Sequence, residues 1–231
     1  HNFTEIIVNP SADASPSNLY SFNNALFFNA NASTTGGTEK RLYKYDGALT
    51  EISIDGYANP YPVGFTSYNG MLYFSAKTAL YGEELWRYDG VSAELTADIK
   101  PGTDSSLPWG LFVYKNRLYL SADDGNGDGR ELWYYSQEGM GHFNLVPGSD
   151  GSYPYDEKCE FNGYMFFTAY TTSTNFELWV YRGTGIPEMI TDLNPGTSSS
   201  QIEEFTVYNN RLYFIADDGV SGDELWVLYF K

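Results

Sequence analysis

A motif of three apolar or aromatic residues recurs five times along the chain, at successive intervals of 46, 46, 47 and 47 residues. The five copies are Leu26-Phe27-Phe28, Leu72-Tyr73-Phe74, Leu118-Tyr119-Leu120, Met165-Phe166-Phe167 and Leu212-Tyr213-Phe214. A second motif follows each of them: Arg41-Leu42-Tyr43, Glu84-Leu85-Trp86, Glu131-Leu132-Trp133, Glu177-Leu178-Trp179 and Glu224-Leu225-Trp226. A fixed period of this length is typical of repeat architectures in which each repeat forms one structural unit.

Each repeat has the pattern of four short strands. In the second copy we predict strands at about 64–68, 71–76, 84–89 and 93–99. A pair such as Asn69-Gly70 precedes every triplet, and both residue types tolerate the positive φ of a two-residue hairpin turn. Pro-Gly pairs predict a further turn at Pro101-Gly102, Pro147-Gly148 and Pro195-Gly196. In Leu85-Trp86-Arg87-Tyr88 large apolar side chains point to both faces, so both faces of the sheet must be covered.

Small four-stranded sheets that are covered on both faces and repeated radially are the blades of a β-propeller. We therefore predict an all-β chain that forms one domain over 1–231, a five-bladed β-propeller of four-stranded antiparallel blades. The predicted blades are 18–55, 64–99, 110–146, 157–192, and 203–230 together with 3–8. The last copy stops after its third strand, and the segment Thr4-Glu5-Ile6-Ile7-Val8 resembles fourth-strand segments. The N-terminal strand is therefore expected to complete the last blade and close the ring, whereas an open solenoid would need protected ends.

Charge restricts the classes of partner. The chain has 13 Lys and Arg against 30 Asp and Glu, a net charge of -17, which repels nucleic acids and anionic lipid surfaces. No apolar run is long enough for a membrane span. A single cysteine, Cys159, excludes an intrachain disulfide, and we expect it to be a buried small hydrophobe. Low lysine content and a start at His1 favour an exported protein, extracellular or at the cell surface, although an excised fragment would look the same.

A family resemblance rests on two stretches. Ser121-Ala122-Asp123-Asp124-Gly125 before Glu131-Leu132-Trp133, and Ile215-Ala216-Asp217-Asp218-Gly219 before Glu224-Leu225-Trp226, resemble bacterial ELWxxDGT repeat proteins. Tyr45-Asp46-Gly47 and Tyr88-Asp89-Gly90 match the family's Asp-Gly, whereas Tyr135-Ser136 and Tyr181-Arg182-Gly183 depart from it. The resemblance implies a large secreted or surface protein of no settled activity. In architecture alone the prediction is similar to tachylectin-type lectins, five-bladed propellers that bind amino sugars around the ring.

Five aromatic residues lie in the links between repeats, outside the core pattern: Tyr57, Tyr61, Trp109, Tyr153 and Tyr155. Such residues can stack on sugar rings, or they can fill gaps between blades. Trp109 is expected to form the strongest site, because the other copies have Ser17, Val63, Asp156 and Glu203 at its position. We predict a multivalent carbohydrate-binding or adhesion module whose partners are glycans or matrix polymers. The alternatives are a structural subunit of a surface layer, sheath or filament, associating with its own copies, and a glycoside hydrolase.

The remaining motifs concern metal, modification and catalysis. Asp124, Asn126 and Asp128 match the first half of a calcium loop, but its twelfth position is Tyr135 and not Glu, and a plain hairpin loop is the alternative. Calcium is the one cofactor that the sequence suggests. Asn2-Phe3-Thr4 and Asn31-Ala32-Ser33 are N-glycosylation sequons. The two histidines are His1 and His142, and His142 is expected on an outer strand, so we predict no enzymatic activity.

Overall fold

The computed structural model describes residues 2–34, 37–154 and 157–230. Within these ranges the regular elements are 19 strands, which form four antiparallel sheets of four strands and one of three. The all-β prediction with four-stranded antiparallel sheets is confirmed for the first four repeats. The chain divides into two compact units, residues 1–108 and 109–231. The described part of the chain contains no helix with the length and apolar character of a membrane span.

The first unit contains two sheets whose strands pair in chain order. The first sheet consists of β1 (Ser17–Phe22), β2 (Ala25–Asn31), β3 (Lys40–Tyr45) and β4 (Leu49–Ile52). The second consists of β5 (Val63–Tyr68), β6 (Met71–Thr78), β7 (Gly82–Tyr88) and β8 (Ala93–Ala97). The strands predicted for the second copy are therefore confirmed, with each end within two residues of its predicted position.

An apolar cluster joins the two sheets of the first unit, and it includes Phe27 and Leu42 from one sheet and Phe74 from the other. In β7 the side chains of Leu85 and Trp86 point to opposite faces, and both are buried. Both faces are therefore covered, as the apolar pattern predicts. Each fully buried side chain of this size contributes roughly 1.5–3 kcal/mol to stability.

The second unit contains the other three sheets. The third sheet consists of β9 (Trp109–Tyr114), β10 (Arg117–Ala122), β11 (Glu131–Ser136) and β12 (Gly139–Phe143). The fourth consists of β13 (Lys158–Phe161), β14 (Tyr164–Thr171), β15 (Asn175–Tyr181) and β16 (Glu188–Thr191), and the fifth of β17 (Glu203–Tyr208), β18 (Arg211–Asp217) and β19 (Asp223–Leu228). One apolar cluster spans the third and fourth sheets, and another spans the fourth and fifth.

The first hairpin of every repeat has the turn that its residues predict. Both central residues have positive φ in all five: Asn23 and Asn24, Asn69 and Gly70, Lys115 and Asn116, Asn162 and Gly163, Asn209 and Asn210. This is the type I′ conformation, whose twist matches that of the flanking strands. Gly102, Gly148 and Gly196 of the Pro-Gly pairs also have positive φ, as the third residue of a type II turn requires.

The N-terminal segment differs from the prediction. No strand is formed within residues 2–9, and the last sheet has three strands, so the expected fourth strand at 3–8 is wrong for the described residues. Val8 packs instead on the cluster of Phe28 and Tyr43 on the first sheet. The Asn9 amide donates to the carbonyl oxygens of Asn31 and Ser33 at 3.2 and 3.0 Å. These contacts hold the segment on the first sheet, an arrangement that the strand-like sequence does not indicate.

Candidate functional site

The segment before the first strand of each repeat contains one exposed position with left-handed backbone, which therefore recurs five times. It is occupied by Ser15, Tyr61, Leu107, Tyr153 and Gln201, with φ of 39°, 46°, 52°, 42° and 47°. Left-handed backbone costs roughly 1–2 kcal/mol for a residue with a side chain. Backbone hydrogen bonds hold it in place: the N–H of Tyr61 donates to Lys40 O, and that of Tyr153 to Arg130 O, both at 3.0 Å. In this backbone conformation the side chains of Tyr61 and Tyr153 remain 54% and 44% exposed to solvent.

A buried glutamate holds the link in three of the repeats. Glu84 is completely buried, and its carboxylate accepts hydrogen bonds from the Ile99 N–H at 2.9 Å and from the Ser106 N–H and hydroxyl at 2.9 and 2.6 Å. Desolvation raises the pKa of Glu84 to about 6, against the lowering effect of these hydrogen bonds. Burial likewise raises the pKa of Glu131 and of Glu177. We call this arrangement the glutamate–serine clamp.

The clamp is repeated in the second unit. The hydroxyl of Ser152 donates to Glu131, and that of Ser200 donates to Glu177. The carbonyl of Ser152 also accepts from the Tyr170 N–H at 2.6 Å, so the link is bonded to the sheet before it and to the sheet after it. The repeated Glu-Leu-Trp motif does not by itself predict this role. The available signal was the serine that follows each of the three glutamates by 22, 21 and 23 positions, at the end of the Pro-Gly link.

A cavity of about 510 Å³ lies between the fourth and fifth sheets in the second unit. Strands and link together line it, with Glu157, Thr168, Phe176, Ser199, Gln201, Ile202, Glu203 and Asp223. Its volume is in the range of small-molecule sites, which combine apolar surface with a few convergent polar groups. The hydroxyl, amide and carboxylate groups can bond ligand hydroxyls, and the ring of Phe176 offers an apolar face.

A run of three aromatic rings connects a predicted site residue to this cavity. The rings of Tyr153 and Tyr170 have centroids 6.4 Å apart at 85°, and those of Tyr170 and Phe176 have centroids 5.4 Å apart at 55°. Phe176 lies in the cavity wall. The exposed Tyr153 is therefore linked to Phe176 in the cavity wall by two successive ring contacts.

The other predicted aromatic residues lie elsewhere. Trp109 is the first residue of β9, is 48% exposed and is not part of the lining of this cavity. Tyr57 is half-buried in the first unit and lines a smaller cavity of about 150 Å³, in which Arg41 forms an ion pair with Glu51 at 3.0 Å. Tyr155 lies outside the described residues. Tyr57 and Phe176 therefore line separate cavities.

The predicted calcium loop uses its side chains to stabilise its own turn. The carboxylate of Asp124 accepts from the Asn126 N–H at 3.0 Å and from the Asn126 amide at 2.9 Å. In the equivalent loop of the last repeat, Asp218 accepts from two backbone N–H groups in the same way. Within the described ranges no group of three His, Cys, Asp or Glu residues is placed to hold a metal. Calcium binding at Asp124, Asn126 and Asp128 stays a prediction.

The two sequons differ in accessibility. Asn2 is exposed, whereas Asn31 is buried. The Asn31 amide nitrogen, to which a glycan would be attached, donates to Asp13 O at 3.3 Å and Gly37 O at 3.1 Å. A glycan on Asn31 would replace one of the two amide hydrogens that form these bonds and would need space at a buried position. Glycosylation at Asn31 stays a prediction, and the burial of its side chain opposes it.

Cys159 and His142 both have packing roles. Cys159 is half-buried in β13, and burial raises the pKa of its thiol, which weakens it as a nucleophile. His142 lies in β12, where its ring stacks on that of Trp133 with centroids 4.5 Å apart. Neither residue lines the cavity between the fourth and fifth sheets.

Comparison with known proteins gives the fold but no family, because no family model and no curated protein matches the chain. The β-propeller domain of the Trilobed protease from Pyrococcus furiosus is similar with a TM-score of 0.57 and 9% identity, covering 95% of this chain and 70% of that one. The BP39L lectin from Burkholderia pseudomallei gives 0.52 and 12%, covering 95% and 67%. The computationally designed Ika8 protein gives 0.50 and 15%, covering 92% of this chain, which spans 58% of Ika8. The fold is propeller-like.

Proposed function

We propose that this protein is a non-enzymatic carbohydrate-binding module, secreted or displayed at a cell surface, with its five sheets forming the five blades of a β-propeller. The resemblance to ELWxxDGT repeat proteins supports a secreted or cell-surface location. The cavity between the fourth and fifth sheets carries the functional part of the proposal. A protease domain and a lectin both have a similar fold, so the argument depends on the cavity and not on the fold.

The lining of the cavity suits a sugar. A pyranose ring has an apolar face that packs on an aromatic ring and a rim of hydroxyl groups that need hydrogen-bond partners. Phe176 supplies the ring, and the hydroxyl of Ser199 and the amide of Gln201 supply donors and acceptors on the link above it. The path through Tyr170 to Tyr153 extends the aromatic surface outward, so that an oligosaccharide could contact more than one ring.

Repetition of the link supports several weak sites in place of one strong site. The left-handed position displays tyrosine at Tyr61 and Tyr153 but serine or glutamine at Ser15 and Gln201. Two positions later in the sequence, the third repeat has Trp109 and the fourth has Tyr155, whereas the other copies have Ser17, Val63 and Glu203. Fewer than five copies can therefore stack on a sugar, and avidity for a repetitive glycan would supply the strength.

One observation favours the second candidate, a structural subunit. On the last sheet Leu225 is 72% exposed and Val227 is also exposed, whereas Leu178, the matching residue of Leu225 in the fourth sheet, is 2% exposed. Exposed apolar patches mark surfaces that bind another protein. Association of this face with further copies would cover it, as the fifth sheet covers the fourth.

A glycan-binding screen combined with light scattering tests both candidates. We expect weak binding of oligosaccharides by a monodisperse protein, with no shortening of the bound glycans. Phe176→Leu keeps the bulk but removes the aromatic face, and it should weaken binding without unfolding the protein, whereas Phe176→Tyr should retain binding. If the protein binds no glycan and forms large assemblies that Leu225→Asp disperses, the structural-subunit function replaces the first proposal. Release of shorter sugars would instead identify a glycoside hydrolase.

A further inference from the structure

In the fourth repeat two acidic residues face each other on neighbouring strands. β15 and β16 are antiparallel with Leu178 opposite Thr191, so Glu177 and Asp192 occupy the next pair of facing positions. Residues that face each other in this way have Cβ atoms about 4.5–5.5 Å apart, and like charges at such positions are destabilising. Glu177 is completely buried and Asp192 is partly buried, so water screens their repulsion poorly.

Each of these two carboxylates has one buried oxygen atom that no described residue bonds: Oε1 of Glu177 and Oδ1 of Asp192. The other oxygen of each carboxylate is bonded to the link. Oε2 of Glu177 accepts from the Leu193 N–H at 3.0 Å and from the Ser200 hydroxyl. Oδ2 of Asp192 accepts from the Gly196 N–H at 3.3 Å. A buried acceptor without a donor is costly, so the two remaining oxygens require a partner.

The other two clamps satisfy both oxygens of their glutamate. In the second repeat both oxygens of Glu84 accept from N–H groups of the link at 2.9 Å. In the third repeat both oxygens of Glu131 do so at 3.2 Å, and the residue that faces Glu131 is Asn144 instead of an aspartate. In the fourth repeat the N–H of Asn194 donates to the Ser200 hydroxyl at 3.1 Å and not to the glutamate. The unsatisfied glutamate is thus a feature of the fourth repeat.

Among the described residues, the groups packed around the pair add no positive charge to it. The third sheet packs on the fourth through apolar and aromatic side chains, and the residue opposite Glu177 on β14 is Ala169. Beyond the aspartate itself, the link has no charged residue. The two cations of the fourth sheet, Lys158 and Arg182, bond to a backbone carbonyl and to an exposed glutamate. The charged residues of the fifth sheet that lie by the link are acidic: Asp217, Glu203 and Asp223.

A single proton satisfies both oxygens. A protonated carboxyl group is a donor, so its O–H can bond to the carboxylate oxygen that faces it. Protonation also removes one of two like charges, which a pair of neighbouring carboxylates retains only at a cost. A calcium ion would need about six to eight oxygen ligands, and in the described ranges no group of three acidic, histidine or cysteine residues is placed to hold a metal.

We infer that Glu177 and Asp192 share one proton, and that this proton holds the link of residues 193–201 in place. The consequence reaches the surface, because Ser199 and Gln201 of this link line the cavity between the fourth and fifth sheets. Loss of the proton leaves two facing charges at the base of the link and loosens the cavity wall. The inference concerns the link and holds whichever ligand the cavity binds.

The direction of the pH dependence follows from Glu177. Burial raises the pKa of its carboxyl group, hydrogen bonds from Ser200 and Leu193 lower it, and the charge of Asp192 raises it, so that it lies above the ordinary value of 4.5. The folded protein therefore binds this proton more tightly than the unfolded chain does. The proton stabilises the link fully below pH 4.5, and this stabilisation is lost as the pH rises through the pKa of Glu177.

The test combines two measurements on the full chain between acidic and neutral pH. Carbon NMR of labelled glutamate carboxyl groups follows the titration of Glu177. Asp192→Asn removes the like charge and supplies an amide donor, so it should lower the proton affinity of Glu177 by at least about tenfold. Hydrogen exchange at the Asp217 N–H, which donates to Ser200 O at 2.9 Å, reports whether the link is in place. After correction for the intrinsic exchange rate, it should increase with pH in the wild type and stay flat in the variant.

Asp98→Asn is the matched control, because Asp98 faces Glu84 in the second repeat just as Asp192 faces Glu177. Both oxygens of Glu84 are already bonded, so this variant should change the titration of Glu84 less than Asp192→Asn changes that of Glu177. If Asp192→Asn does not fold, Asp192→Ser takes its place, since Ser53 occupies this position in the first repeat.

Three results would overturn the inference. Titration of Glu177 that is the same in the wild type and in Asp192→Asn would show that the proton is not shared. Exchange at the Asp217 N–H that does not depend on pH would show that the proton does not hold the link. If calcium chloride at neutral pH slows this exchange in the wild type but not in the variant, the pair is a cation site and not a proton site.

Discussion

The hydroxyl of Ser106 donates to a carboxylate oxygen of Glu84 at 2.6 Å, and both side chains are fully buried. The residues are 22 positions apart: Glu84 lies in β7, and Ser106 lies in the link that follows β8. A carboxylate that accepts several bonds from one link restrains the backbone that displays the exposed left-handed residue Leu107. The clamp thus connects a residue of the repeat core to the surface on which binding is proposed.

Removal of a clamp carboxylate should destabilise the protein far more than removal of its exposed counterpart. Glu177→Ala leaves the Leu193 N–H and the Ser200 hydroxyl without their acceptor, and we expect a loss of about 2–4 kcal/mol. Glu224 occupies the same place in the last repeat but is exposed, so Glu224→Ala should cost less than about 0.5 kcal/mol. Urea unfolding of the two variants measures the difference, and equal losses would show that the clamp has no structural role.

Stability should depend on pH through Glu84. Its pKa is raised from 4.5 to about 6 by burial, so the folded protein binds this proton more tightly than the unfolded chain does. The tighter binding of this proton therefore adds fully to the free energy of unfolding below pH 4.5. The added free energy, about 2 kcal/mol, is lost as the pH rises through about 6. Glu84→Gln should flatten the wild-type stability profile between these pH values. A steeper slope in the variant would contradict the assignment.

Replacement of one turn residue should stabilise the protein. Lys115 has a φ of 44° at the first central position of its hairpin, where the other four repeats have asparagine. Asparagine tolerates this conformation better, so Lys115→Asn should add about 0.5–1 kcal/mol. The exposed bond from the Lys115 ammonium to Arg182 O is lost, which offsets a small part of the gain. The reverse change at the equivalent position, Asn162→Lys, should lower the melting temperature.

Alanine substitution should mainly lower stability at Trp179 and mainly weaken glycan binding at Trp109. Trp179 is buried, and its indole N–H donates to Ala169 O at 3.1 Å, so Trp179→Ala should cost about 3–5 kcal/mol. Trp109 is half-exposed, so Trp109→Ala should cost clearly less in the same unfolding assay while weakening glycan binding. Equal destabilisation by the two substitutions would remove Trp109 from the candidate binding residues.

The elements of the fold were predictable to a greater extent than the site. Strands such as Met71–Thr78 and turns such as Asn69-Gly70 follow from side-chain alternation and φ preference, which act between residues close in the chain. Tyr153 was predictable as an exposed aromatic residue of a link. The cavity was not, because Phe176 and Asp223 come from strands of different sheets and neither stands out in its own segment.

The sequence by itself determined five repeats, the strands within them and the type I′ turns, since all of these depend on local pattern. Only the tertiary structure decided which residues at the same repeat position are buried and which are exposed. Glu177 and Glu224 occupy the same position in the repeated motif, yet one is fully buried and the other is exposed. The physical reason is that burial depends on what packs over a residue: a link with Ser200 lies over Glu177, and no described segment forms the same clamp with Glu224. The N-terminal segment likewise has the sequence of a strand, but packing of Val8 on the first sheet decides where it lies.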